Sequence, residues 1–326
     1  MTETRNKKLN ILTTCLTVIS IIFLILTLLL FFIFIFNKAF FNFSGTIDVN
    51  LAALFGSFFQ GLIGTLATIT SALFMIVIFL LQTKQSRISQ VENAYFKMLD
   101  YHRENVNSLH ISDFRTEKKN KKTNEVLTYD GKRVFVIFKL QLFECLDFVD
   151  TVMNQEKLSL TPQQRIDVAY MIFYYGFNRE YDDFSKTIFK NYPEDFIKKL
   201  FNARNIYNKD HKIFRTNQTS LSTYFRNLYN AILFIDQNQD LTQAQKKNYI
   251  KILRAQLSNP EQCLLYFNVM SRFGKKWKKY QLIQKYELIK NIPRNYCHGF
   301  DFHSDFKINY EDDDLDLEDM VDINED

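Results

Sequence analysis

The chain has 326 residues, 47% of them hydrophobic and 16% aromatic, which is ample for a packed core. Its formal net charge of +5 averages two unlike parts: residues 85–310 carry 36 Lys+Arg against 24 Asp+Glu, while residues 311–326 carry ten acids and no base. Eight glycines and five histidines supply no phosphate-cradling glycine loop, no Gly-x-Ser-x-Gly elbow and no His-x-x-x-His pair, so the enzyme classes built on those motifs are excluded.

Leu9 to Asn37 is a run of 29 residues without a formal charge, and Val49 to Thr83 is one of 35. Each exceeds the roughly 20 residues that cross a bilayer. The first is too long for a signal-peptide core and is followed at once by the second, so both read as permanent spans, 9–37 and 51–83. Arg5, Lys7 and Lys8 precede the first span, Lys84 and Arg87 follow the second, and the connection 38–50 offers only Lys38. The positive-inside rule then puts both termini in the cytoplasm, with a short tail 1–8 and an external loop 38–50.

The first span is rich in Leu, Ile and Phe and reads as lipid-facing. The second differs. Ser57, Gly61 and Thr65 recur every four residues, and so do Gln60, Gly64, Thr68 and Ala72, which makes two adjacent small or polar rows on one side of a helix. Such rows permit close backbone approach between helices in a membrane. Two occupants suit them: the first span of the same chain in a hairpin, or the same helix of other subunits in a homo-oligomer.

No proline occurs before Pro162 and no glycine between Gly64 and Gly131. Leu81, Ile88, Tyr95, His102 and Leu109 fall at intervals of seven with Val91, Met98 and Asn105 between them, so the second span is expected to continue as an extension helix, 84–112, with a narrow seam. Residues 113–125, DFRTEKKNKKTNE, read as a hydrophilic loop. In VLTYDGKRVFV, Asp130-Gly131 stands between two β-favouring runs, the pattern of a type I′ hairpin.

From about Phe135 the pattern is helical. Thr161, Pro162 and Gln164 make a capping box with a first-turn proline after Leu160, and the helix should end near Gly176. Leu241, Thr242 and Gln245 repeat that start, and Ser258 with Glu261 makes a third box. The fold class expected is mainly α: an N-terminal two-helix transmembrane hairpin plus a cytoplasmic helical domain, 113–310, with a small β-hairpin. The tail 311–326, EDDDLDLEDMVDINED, is too charged to fold alone; with Leu315, Leu317, Met320, Val321 and Ile323 punctuating it, it suits a basic groove or simple solubilisation.

Three candidates for chemistry remain. CHGFDFHSD holds Cys297, His298 and His303 with two aspartates, types that ligate zinc or iron, but no second ligand pair accompanies it. No metal and no cofactor is expected. RFGKKWKKY interleaves Arg272, Lys275, Lys276, Lys278 and Lys279 with Phe273, Trp277 and Tyr280, which suits nucleic acid, an anionic membrane surface, tail docking, or a helix that turns its aromatics inward. Cys15, Cys145, Cys263 and Cys297 show no paired spacing, and reduced thiols are expected. No acid–base or nucleophile constellation is visible, so no enzyme activity is expected.

Two N-terminal spans lead into YFKMLDYHRENVNSL (95–109), GKRVF (131–135), AYMIFYYG (169–176), YFRNLYNAILFID (224–236) and YIKILRAQLSNPEQCLLYFN (249–268). This succession resembles the PutAbiC family of bacterial phage abortive infection proteins over most of residues 50–290. The resemblance implies a defence protein anchored in the bacterial inner membrane that halts growth or kills the infected cell before phage matures, and it supplies no catalytic residue; a protein or nucleic-acid partner that controls activity is a separate expectation. Family-like positions are His102, Tyr224, Phe225, Arg226, Arg254, Gln256 and Ser258; Ser222-Thr223 stand where family members often have Gly-His before Tyr-Phe-Arg.

Overall fold

The two apolar runs form long helices because neither proline nor charge interrupts them. The structure, a computed structural model, describes residues 2–36, 49–112, 128–157, 159–177, 181–207, 215–290 and 292–307. Residues 38–48 of the expected external loop, the hydrophilic loop 113–125 and the acidic tail 311–326 lie outside the described residues. The chain divides into two compact units, Met1–Ala94 with Asn238–Thr242, and Tyr95–Gln237 with Gln243–Asp326.

In the first unit, α1 (Thr2–Phe36) is followed by α2 (Val49–Phe58), a π-helical stretch Phe59–Gly64 and the start of α3 (Thr65–Asn107). Phe31 meets Phe59 edge to face at 5.9 Å, and Lys84 Nζ donates to Asn10 Oδ1 at 3.1 Å, so α1 and α3 run antiparallel. Two helices are long and apolar enough to cross a membrane. The small-residue rows do not receive α1. Ser57, Gly61, Thr65 and Thr68 are exposed and Gly64 half-buried, and a Cβ added at Gly61 would meet nothing within 4 Å. Ile63, one position off the rows, is the buried residue of the π-helical stretch. Ser57, Thr65 and Thr68 each donate a hydroxyl to the carbonyl four residues back, at 2.9, 2.6 and 2.8 Å. Their donors are therefore satisfied inside the helix, as an apolar solvent requires.

In the second unit, the last turns of α3 bury Tyr95, Leu99, His102 and Val106, and Leu109, two residues past the helix, is buried in step with them. The spacing alternates four and three, so the seam is real, but its intervening positions are Leu99 and Val106. Met98 and Asn105, read from the sequence for that role, are half-buried beside it.

The β-hairpin is placed differently from the expectation. β1 (His110–Ser112) and β2 (Thr128–Asp130) pair antiparallel with His110 opposite Asp130 and Ser112 opposite Thr128. Asp130-Gly131 is thus the exit from the second strand, not a turn between strands. Gly131, at φ +56°, bonds back to Leu109 O and opens a 3-10 turn into α4 (Val134–Gln155). The β-branched run after it is helical because Val134, Phe135, Ile137, Phe138, Gln141 and Leu142 are buried at helical spacing, and tertiary packing overrides propensity.

α4 packs on α5 (Pro162–Tyr175) and α10 (Asn259–Met270), which also touch each other. Residues 166–174 of α5 and 261–269 of α10 are buried without a break, the mark of helices covered on every side. Around them stand α6 (Asp183–Phe189), α7 (Glu194–Tyr207), α8 (Gln218–Gln237), α9 (Gln243–Arg254), α11 (Lys275–Lys279), α12 (Leu282–Tyr286) and α13 (Phe302–Phe306). The cap at Thr161 forms with both halves of its box, and Gly176 closes α5 at φ +76°.

Candidate functional site

The C-terminal turns of α3, the middle of α8 and the N-terminus of α10 converge on one buried polar corner. Its centre is Tyr224, fully buried, whose ring lies 4.9 Å from that of His102 and 4.6 Å from that of Phe135. The Tyr224 hydroxyl donates to Glu261 Oε1 at 3.0 Å. Glu261, 1% exposed, turns its other oxygen to the cap of α10: Ser258 donates its backbone N–H at 2.8 Å and its hydroxyl at 2.6 Å to Oε2. The capping box read from Ser258 and Glu261 therefore extends inward to a tyrosine.

The α9–α10 connection supplies the other family-like positions. Lys132 Nζ donates to Gln256 O at 2.7 Å, and Arg254 Nη1 donates to Glu287 O at 3.0 Å. Tyr95, seven residues before His102 on α3, donates its hydroxyl to Tyr249 O at 2.9 Å. Phe225 is buried beside Tyr224 on α8, whereas Arg226 is exposed. His102, Tyr224, Gln256 and Ser258 are thus brought to one place, and Arg226 is not.

Charge in this corner is held still. Burial, and then the Lys132 ammonium, push the His102 pKa down to about 4, so the imidazole is neutral at pH 7. Its Nδ1 is buried without a hydrogen-bond partner among the described residues. Burial, with the Glu261 carboxylate beside it, holds the Tyr224 hydroxyl well above the ordinary tyrosine range. A carboxylate that accepts three donors and faces a protonated tyrosine is a connector between helices; Tyr224 and Glu261 lie too deep to meet a substrate.

The basic stretch 272–279 splits in two. Arg272 Nη2 lies 2.6 Å from Asp167 Oδ2, its backbone N–H reaches Asp167 Oδ1 at 2.7 Å, and the Tyr192 hydroxyl donates to the same carboxylate at 2.6 Å. Burial raises the Asp167 carboxyl, but these donors outweigh it and hold the group below its usual range. Trp277 is buried with its ring 5.2 Å from that of Tyr229. Arg272 and Trp277 belong to the core, while Lys275, Lys276, Lys278 and Lys279 face solvent.

The residues of CHGFDFHSD part company. Cys297 is buried, His303 packs its ring 4.0 Å from that of Phe302, and His298 Nε2 lies 3.0 Å from Asp147 Oδ1. With Asp150 these last two place three ligand atoms within 4.8 Å of one another. Asp150 is also paired with Arg165, whose Nε is 2.9 Å away. All four cysteines are free; Cys145 and Cys263 are buried, and burial raises both thiols.

Glu261 and Asp167 were not visible to sequence reasoning as site residues. Glu261 was legible only as a helix cap, and the pairing of Asp167 with Arg272 spans 105 positions, for which no local spacing exists. No curated protein and no solved structure matches the chain. Residues 216–297, the segment that holds Tyr224, Gln256, Ser258 and Glu261, match the family model Putative phage abortive infection protein (putAbiC), which agrees with the resemblance read from the sequence.

Proposed function

We propose that the chain is a membrane-anchored anti-phage defence effector with both termini in the cytoplasm. The second unit receives the signal of infection or of a controlling partner, and the apolar helices associate as a homo-oligomer that perturbs the inner membrane without enzymatic chemistry. The observation that carries the reading is the uncovered face of Ser57, Gly61, Thr65 and Thr68 on an apolar helix that extends to Asn107 and so contributes to both units. The family match supports the defence setting. In a membrane such a face favours helix association by close approach. The test is induced expression in cells loaded with a membrane-potential dye. Growth arrest should coincide with depolarisation; arrest at normal potential and permeability removes the effector mechanism.

A second reading, a membrane-tethered nucleic-acid-binding inhibitor of phage replication, is favoured by the four exposed lysines of α11. Trp277 is buried, so phosphate contact is available there and indole stacking is not. Purified protein that binds no oligonucleotide at low salt removes this reading.

A further inference from the structure

Lys275, Lys276, Lys278 and Lys279 are exposed on α11, which Trp277 pins to the core from the middle of the helix. Arg272, the fifth cation of the stretch, has its carboxylate in Asp167. None of the four lysines has a carboxylate at ion-pair distance among the described residues. The surface is a strip of positive charge without an ion pair of its own among the described residues.

α13, where the described chain ends, and α11 both pack against α10. α13 is seated by Phe302 and Phe306, both buried, and by the Tyr266 hydroxyl, which donates to Asp305 Oδ2 at 2.7 Å. Burial lowers the Lys278 pKa, and the charges of Asp305 and Asp167 act against that lowering without reversing it. Glu311 is four positions beyond Lys307, a reach of about 13 Å at roughly 3.3 Å per residue. From Glu311 onward the sequence carries ten acids and no base in sixteen residues. A tethered segment of this kind meets its complement at an effective concentration on the order of millimolar, so weak individual ion pairs suffice.

We propose that residues 311–326 dock on the α11 lysines as an intramolecular polyanion and shield that strip from external polyanions. The occupant is this chain's own tail: its charge is complementary, and α13, which leads into it, is seated on the same helix, α10, that α11 contacts. The inference does not depend on whether α1 and α3 cross a membrane.

The test is zero-length carbodiimide cross-linking of the full chain in detergent, as an equal mixture of isotopically light and heavy protein. At low salt, amide bonds should join the acids of 311–326 to Lys275, Lys276, Lys278 or Lys279 within one chain. They should fade near 1 M salt, where screening acts over about 3 Å. Light–heavy cross-links, tail cross-links confined to other lysines, or none at all overturn the proposal. In a second measurement all ten tail acids are changed to Asn or Gln in the full chain. Acylation of the four lysines by an amine-reactive ester should rise several-fold while Lys247, exposed on α9, stays constant. Equal reactivity in the two proteins overturns the docking even if a cross-link is seen.

Discussion

Gly274 has φ −74°, a conformation open to every residue, so its need for glycine is one of space. A Cβ there would lie 1.7 Å from the Val269 carbonyl oxygen and 2.4 Å from its carbon, both backbone atoms of the buried α10. Gly274→Ala should lower stability by at least ~3 kcal/mol, because the turn carrying Arg272 must move off α10. At Gly56, by contrast, nothing lies within 4 Å, and Gly56→Ala should be neutral or slightly stabilising. Chemical denaturation of the two variants in detergent makes the comparison; equal losses contradict it. His102 gives a pH prediction at the same scale. Its folded pKa of about 4 lies below the unfolded value of 6.5, so the unfolded chain binds the extra proton. Stability from this residue is fully present above pH 6.5 and is lost as pH falls toward 4. His102→Gln should flatten the fall in that window by up to about 1.4 kcal/mol per pH unit relative to the parent. Parallel stability curves for parent and variant over pH 4–6.5 would contradict the assignment.

At the scale of elements, α3 shows how far periodicity carries. Its seven-residue repeat was legible through Tyr95, His102 and Leu109, but the choice between Met98 and Leu99 as the partner position turns on one residue of rotation. That rotation is set by what packs against the helix. Leu99 is 4% exposed and Met98 half-buried. Leu99→Ala should therefore lose ~2–5 kcal/mol and Met98→Ala less than about 1.5 kcal/mol, read by urea denaturation. The reverse order would restore the seam read from the sequence. The caps at Thr161 and Ser258 were legible because a cap is made by residues three apart. Asp130-Gly131 misled for the same reason: a left-handed glycine after a strand has one local signature whether the chain turns back or enters a helix. Only the partner strand at His110–Ser112 decides, and it is 20 residues away in register. The candidate corner was legible in part. Ser258 and Glu261 carried a local signal, while the meeting of His102 with Tyr224 joins residues 122 positions apart and needs the fold to exist first.

At the scale of the whole molecule, the feature that the second unit cannot account for is the open small-residue face on the helix of the first. A soluble protein would cover or charge such a surface; a lipid-exposed helix tolerates it because the hydroxyls of Ser57, Thr65 and Thr68 are satisfied by their own carbonyls. Tolerance is not use, and substitution separates them. Gly61→Leu and Gly64→Leu raise apolarity, so insertion should be kept, but they hold neighbouring backbones apart. If helix association drives the arrest, weakening it by ~1–2 kcal/mol per substitution lowers the associated population roughly tenfold. Survival after induction should rise accordingly while the amount in the membrane fraction stays constant. Ile25→Leu, at an exposed position on α1 and so off the two rows, serves as the control and should arrest growth like the parent. Arrest by Gly61→Leu at parental strength would mean that the small-residue rows are passive and that the arrest does not come from helix association.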